Sequence, residues 1–154
     1  IPSTVTTIAD YAFCHCESLA NIKIPENVTT IGNYAFNCCW KLEKIIIPNS
    51  VSYIGRKAFG HCRTLTNIEI TNSVTAIKPF AFHSLTEVIF LKNEISIGEC
   101  VFTQCEELSS IIFRGTKAQW LTASKSGILG NGISDCIVNC TDGKLDICGN
   151  EVFE

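Results

Sequence analysis

The sequence has no methionine, and only three histidines and four prolines among its 154 residues. It has no basic run, and its twelve Lys and Arg are outnumbered by fifteen Asp and Glu, giving a net charge of −3. Nucleic acid is therefore not an expected partner, because affinity for a phosphate backbone comes from clustered cations. No apolar stretch reaches the roughly 18–20 residues that a membrane-spanning helix needs. Catalytic signatures are missing too: there is no GxSxG, no HExxH and no glycine loop of the kind that cradles phosphate. The carboxylates are scattered as on a solvated surface, and none of the three histidines has a nucleophile partner. A non-enzymatic chain with no cofactor is expected.

What the chain does have is a period. Val5, Val28, Val51 and Val74 are 23 residues apart, as are Ile8, Ile31, Ile54 and Ile77, and Phe13, Phe36, Phe59 and Phe82. Self-similarity at such a spacing means stacked supersecondary units whose core grows by one layer per repeat. The units fall at 3–25, 26–48, 49–71, 72–91 and 92–114, so that 1–114 is the repeat region and 115–154 a non-repeating end. The fourth unit is three residues short after Phe82. The fifth has Glu94 in the Val position, and a local irregularity is expected there. Ile1-Pro2 aligns with Ile24-Pro25 and Ile47-Pro48, so the chain is expected to start at the tail of a unit, with more repeats upstream.

Each unit ends in alternating apolar residues, as in Leu19-Ala20-Asn21-Ile22-Lys23-Ile24. β-Branched residues at period two read as short strands. One per unit, in register, gives a parallel sheet with strands about 4.8 Å apart. Pro25 and Pro48 stop the strand because proline lacks the ladder donor. On the return leg Gly32, Gly55 and Gly98 suggest positive φ, and the following Ala-Phe segment suggests a helical or 3₁₀ turn. After Gly115, Thr116 is an N-cap candidate for a short helix over 116–124. Ile137–Cys140, Thr141–Lys144 and Leu145–Cys148 then read as strand, turn and strand, with Asp142-Gly143 as the hairpin signal. The expected fold is an α/β solenoid. It has a parallel concave sheet of about five short strands, little regular helix, and a helix-plus-hairpin cap at the C-terminal end.

Ten cysteines would suit a disulfide scaffold, but four of them obey the period. Cys16, Cys39, Cys62 and Cys105 each lie three residues before a core Leu, which reads as a ladder of reduced thiols filling the core. Equivalent residues on adjacent coils have parallel Cβ vectors, which suit a bridge poorly. Two other pairings stay open: Cys14 with Cys38, and Cys148 with Cys136 or Cys140. His15, Cys38 and His61 share a column and offer zinc-type ligand atoms, but no CxxC or HxxxH pair fixes a chelate, so no metal site is assigned. Asn27-Val28-Thr29 and Asn139-Cys140-Thr141 fit the short N-glycosylation pattern.

The repeat resembles the BspA-like subclass of leucine-rich repeats. The residues that carry the resemblance are Leu19-x-x-Ile22-x-Ile24-Pro25, Val28-x-x-Ile31-Gly32 and Ala35-Phe36-x-x-Cys39-x-x-Leu42. Phe113-Arg114-Gly115-Thr116-Lys117-x-x-Trp120 and Cys140-x-Asp142-Gly143 resemble the family's usual end. The resemblance implies a cell-surface or secreted protein of a host-associated microbe that takes part in adhesion. The implied partner is a protein ligand such as a host extracellular or matrix protein. The alternative is a structural spacer that presents another domain.

The alternation also sorts exposed columns. Within the strand the residue between the last two core positions faces out of the sheet, and that column reads Lys23, Ile46, Glu69, Ile89, Ile112. A neighbouring outward column reads Asn21, Lys44, Asn67, Glu87, Ser110. Three outward isoleucines form an apolar stripe of the kind that marks an interaction site. Trp40 stands in the otherwise charged column of Glu17, Arg63 and Glu106, and exposed aromatics are enriched at binding hot spots. Trp40, Lys44, Ile46, Glu69, Ile89 and Ile112 are the expected partner-binding residues.

Overall fold

The computed structural model describes residues 1–71, 73–91, 95–123, 133, 135–146 and 148–153. The chain winds as a solenoid of about five coils, each with three sides. One side is the expected concave sheet, formed by β2 (Asn21–Lys23), β4 (Lys44–Ile46), β6 (Asn67–Ile70), β8 (Glu87–Phe90) and β10 (Ser110–Phe113). A second side is a five-stranded parallel sheet of two-residue strands that the sequence reading missed. It is built from β1 (Thr7–Ile8), β3 (Thr30–Ile31), β5 (Tyr53–Ile54), β7 (Ala76–Ile77) and β9 (Ser96–Ile97). These strands hold the Val-x-x-Ile return leg, whose single inward Ile per strand is too short a pattern to announce a sheet.

The third side corrects an expectation. The Ala-Phe segment is neither α nor 3₁₀ helix but a run of turns. Alternate amides close turns within the coil, as in Cys14 N to Tyr11 O at 3.0 Å and Cys16 N to Phe13 O at 3.2 Å. The amides between them donate to the next coil, as in Phe13 N to Ala35 O, Phe36 N to Ala58 O and Phe59 N to Ala81 O, each 2.8 Å. The turns thus form a third ladder along the stack. Left-handed backbone makes this alternation: Tyr11, Tyr34, Lys57, Phe80 and Cys100 hold one positive-φ column, and His15, Cys38 and His61 another. Such a conformation costs a non-glycine residue roughly 1–2 kcal/mol, a cost offset by satisfying a backbone donor between coils.

The corner glycines, by contrast, do not have positive φ. They are required by close approach. A Cβ on Gly32 would come within 2.6 Å of the Asp10 amide nitrogen, and one on Gly55 within 2.6 Å of that of Asn33. At these two positions the coils are stacked too tightly for a side chain.

The interior is a column of matched residues. Phe36, Phe59, Phe82 and Phe102 are fully buried. Their rings stack on one another and on Phe13 with centroids 5.1–5.8 Å apart. Val28, Val51 and Val74, and Leu42 and Leu65, are buried alongside. The short fourth unit leaves the concave register intact, with Glu87 to Phe90 pairing Asn67 to Ile70 without a slip. The deletion is absorbed in the turn side at His83–Ser84, where the inter-coil bond from Phe82 N to Val101 O stretches to 3.4 Å. Glu94 lies outside the described residues.

The concave strands are not one continuous ladder. β2 pairs β4, and β6 pairs β8 and β10, but no strand pairing joins β4 to β6. The latter three strands are longer by one residue. Thr71, Leu91 and Arg114 replace the strand-ending prolines, and Leu91 N and Arg114 N donate to Ile70 O and Phe90 O at 3.0 and 3.1 Å.

At the C-terminal end Thr116 caps α1 (Lys117–Ala123) by a reciprocal pair: Gln119 N donates to Thr116 Oγ1 and Thr116 N to Gln119 Oε1. Residue 124, expected in this helix, is outside the described residues. Trp120 is buried against Phe113 and Phe90, with centroids 5.3 and 6.0 Å away. β11 (Ile137–Cys140) pairs β10 in parallel, so it extends the concave sheet rather than merely covering its end. It then turns through Thr141-Asp142 into antiparallel β12 (Gly143–Leu145), with Cys140 opposite Gly143. The turn is two residues tighter than expected, because Gly143 (φ 134°) and Lys144 already belong to the strand. The second strand ends at Leu145 instead of reaching Cys148. A further strand, β13 (Glu151–Val152), pairs β12 and was not anticipated.

Candidate functional site

The concave strands alternate as the period requires. In β4 and β6 the first and third residues are exposed while Ile45 and Ile68 are buried. Ile46 is 68% exposed, the most open aliphatic side chain among the described residues. Lys44 and Glu69 are exposed, and Ile89 and Ile112 are half-buried. Strand register places Ile89 directly between Glu69 and Ile112, with Asn139 of β11 as the next member of the row. Asn139 was missed because it lies outside the repeat, where no period could align it.

Lys44, Ile46, Glu69 and Ile89 line one open groove of about 560 Å³ that lies over the break between β4 and β6. Its remaining charged walls are Glu43 and Glu87, so three carboxylates face one ammonium around the exposed Ile46. Ile112 does not reach the groove but continues the row from Ile89. Trp40 stands apart from it, on the turn after Cys39. Trp40 is 39% exposed, with the Arg63 guanidinium 5.4 Å from its ring centroid and Thr64 Oγ1 donating to its carbonyl at 3.0 Å. Four of the six expected residues thus share a groove, one adjoins it, and one lies at a separate position.

All ten cysteines carry free thiols. Cys39, Cys62 and Cys105 are buried at one core position. The Cys39 and Cys62 thiols donate to the Phe13 and Phe36 carbonyls of the preceding coil at 3.2 and 3.1 Å. Burial pushes Cys39 and Cys105 up to about 12 and Cys136 up to about 11, and raises Cys62 as well. These are packing thiols, since the nucleophile and the metal ligand are the thiolate. Neither open pairing is formed. Cys14 and Cys38 flank the Asn37 amide, whose Nδ2 lies 3.9 and 3.2 Å from their sulfurs, and Cys148 is exposed.

The His61 and His83 rings meet at a tilt of 47° with centroids 4.7 Å apart across the shortened turn, and His83 Nδ1 is 2.7 Å from Ser84 Oγ. Burial, then the His61 and Arg63 charges, hold His83 below its ordinary pKa. Among the described residues no three His, Cys, Asp or Glu side chains converge as metal ligands. No helix among them is long and apolar enough to cross a membrane.

Comparison with known proteins agrees with this architecture. The sequence profile of the BspA type leucine rich repeat region matches six times, over residues 1–109 and 80–128. Three solved structures are similar. A leucine rich cell surface protein from Faecalibacterium prausnitzii is 31% identical with a TM-score of 0.76, over 82% of this chain and 35% of that one. A leucine-rich repeat protein from Bacteroides ovatus is 34% identical with a TM-score of 0.66, over 74% and 32%. The leucine rich repeat protein of T. pallidum is 33% identical with a TM-score of 0.68, over 73% and 56%. The chain therefore spans between about a third and just over half of the length of these neighbours. No protein of curated function matches at a significant level. The repeat, the coil and the profile converge, and the chain belongs to the BspA-type leucine-rich repeat family.

Proposed function

We propose that the chain is a non-enzymatic protein-binding segment of a cell-surface or secreted protein, and that its concave sheet is the binding face. Residues 1–114 present the surface and residues 115–154 close its end. The observation that carries this reading is the groove around Ile46, an open apolar side chain on a sheet whose other face is a fully packed core. Exposed apolar groups with a charged rim are the usual anatomy of a recognition patch. Lys44, Glu69, Ile89 and Ile112 extend the contact, and Trp40 adds an aromatic anchor beyond the groove. The family and the F. prausnitzii neighbour, whose name is that of a cell surface protein, support a surface location; adhesion to a host extracellular or matrix protein is the role proposed for it.

Pull-down against matrix and plasma proteins identifies the ligand, and substitution then tests the face. The double variant Ile46→Lys, Ile89→Lys should lose binding at an unchanged melting temperature. Full binding by that folded variant rules out the concave sheet.

A further inference from the structure

The corner between the second and third sides of the coil carries a charge pattern unrelated to the concave groove. Arg56 and Lys57 turn this corner in the third coil, and Lys78 turns it in the fourth. The Lys57 ammonium is sandwiched between two rings of its own column, 6.0 Å from the Tyr34 centroid and 5.8 Å from that of Phe80. The Arg56 guanidinium lies 5.5 Å from the Phe80 centroid, and the Lys78 ammonium 5.7 Å from that of Tyr53. Cations over ring faces are held by the ring quadrupole, so these three are oriented before any ligand arrives. None of the three is ion-paired among the described residues, where the one salt bridge joins Lys117 to Glu151. The aromatic column continues from Tyr34 to Tyr11, stacked at 4.9 Å with planes 5° apart, and Tyr11 is 58% exposed.

The segment is bounded. In the Arg56 column Asp10 stands two coils before and Glu99 two coils after. Asp10 is occupied by Asn33, whose amide and side-chain nitrogens donate to it at 2.7 and 3.1 Å. A ligand running along this edge therefore meets the exposed Tyr11 ring in the first coil, the half-buried Tyr34 ring in the second and three free cations in the next two.

We propose that this corner binds a short acidic oligosaccharide, one whose sugar rings carry carboxylate or sulfate groups. Arg56, Lys57 and Lys78 supply charge-assisted donors to the anionic groups. Tyr11 and Tyr34 supply an apolar edge and hydroxyls to the adjoining sugar. Three cations on a chain of net charge −3 are too few for a nucleic acid, whose affinity rests on many phosphate contacts. A narrow convex edge one residue wide per coil suits a linear polymer better than the broad patch a folded protein needs.

The test uses the whole chain with heparin-derived and oligogalacturonate fragments, and with dextran, poly-glutamate and single-stranded DNA as comparators, in calorimetry at two salt concentrations. Binding of a sulfated or uronate fragment, weaker at the higher salt and absent for dextran, is expected. Arg56→Gln with Lys78→Gln, both exposed, should weaken it roughly tenfold or more, and Tyr11→Ala should weaken it less. Thermal melts confirm that each variant is folded, and Ile46→Lys on the concave sheet should leave glycan binding unchanged. Poly-glutamate or DNA binding as tightly as the glycans, an unaltered affinity in the Arg56/Lys78 or the Tyr11 variant, or no glycan binding at all would overturn the proposal.

Discussion

The turn side and the concave side of the same coils follow opposite rules. On the turn side the same residue types recur layer after layer. Phenylalanine stacks on phenylalanine, cysteine follows cysteine, and each coil is tied to the next by the same amide-to-carbonyl bonds. On the concave side the buried positions repeat, but the outward positions read Lys23, Ile46, Glu69, Ile89 and Ile112, and the ladder itself breaks between β4 and β6. Identity is kept where stacking requires it, and variation is tolerated where only solvent or a partner is met. The difference separates scaffold from recognition within one 23-residue unit.

The sharpest way to break the scaffold half is Phe36→Ala. Removing a fully buried ring flanked by two others should cost about 3–5 kcal/mol, read by denaturant unfolding, and should abolish the folded state if the chain is marginally stable. Gly55→Ala comes next. Its Cβ would meet backbone atoms of the preceding coil at 2.6 Å, and displacing a coil to make room should cost about 1–3 kcal/mol. On the recognition half, Glu69→Ala should change stability by less than about 0.5 kcal/mol. A large effect of Glu69→Ala would mean that the concave row is structural after all.

Thiol chemistry sharpens the comparison without substitution. The folded chain should be alkylated at exposed Cys148 first, while Cys39, Cys62 and Cys105 react only on unfolding; mass spectrometry after brief labelling reads this directly. Their raised pKa values also carry a sign. The buried thiols stay protonated while unfolded ones ionise above about 9, so the unfolded state binds fewer protons there. Stability should therefore be fully present below pH 9 and fall between 9 and about 12 as pH rises. Cys39→Ala with Cys105→Ala should flatten that fall.

Much of this was legible because the period aligns residues without any structural knowledge. It identified the buried Phe, Leu and Cys columns and the outward row at Ile46. It failed where geometry is set by neighbours rather than by pattern. Gly32 and Gly55 were read for positive φ, yet the reason for them is a backbone one coil away. Positive φ fell instead on Tyr34, Lys57 and Phe80, whose side chains give no hint of it. The two-residue strands of the second sheet were too short for alternation, and the pairing of β11 with β10 and the strand β13 lie where the repeat has ended. The groove was only half legible. Lys44, Ile46, Glu69 and Ile89 could be put on one face, but the break beneath them depends on pairing, and Trp40 proved to stand apart.

The central claim is that the concave row recognises a protein while the buried stack beneath it is scaffold. Its most direct test is the dissociation constant for the protein ligand found by pull-down, compared between the wild type and Ile46→Lys, Ile89→Lys, with Arg56→Gln, Lys78→Gln as a control on the far corner. The account predicts at least a tenfold loss for the concave pair, about 1.4 kcal/mol or more, with equal melting temperatures and no change for the corner pair. Undiminished binding by the concave pair, or a loss confined to the corner pair, would contradict it.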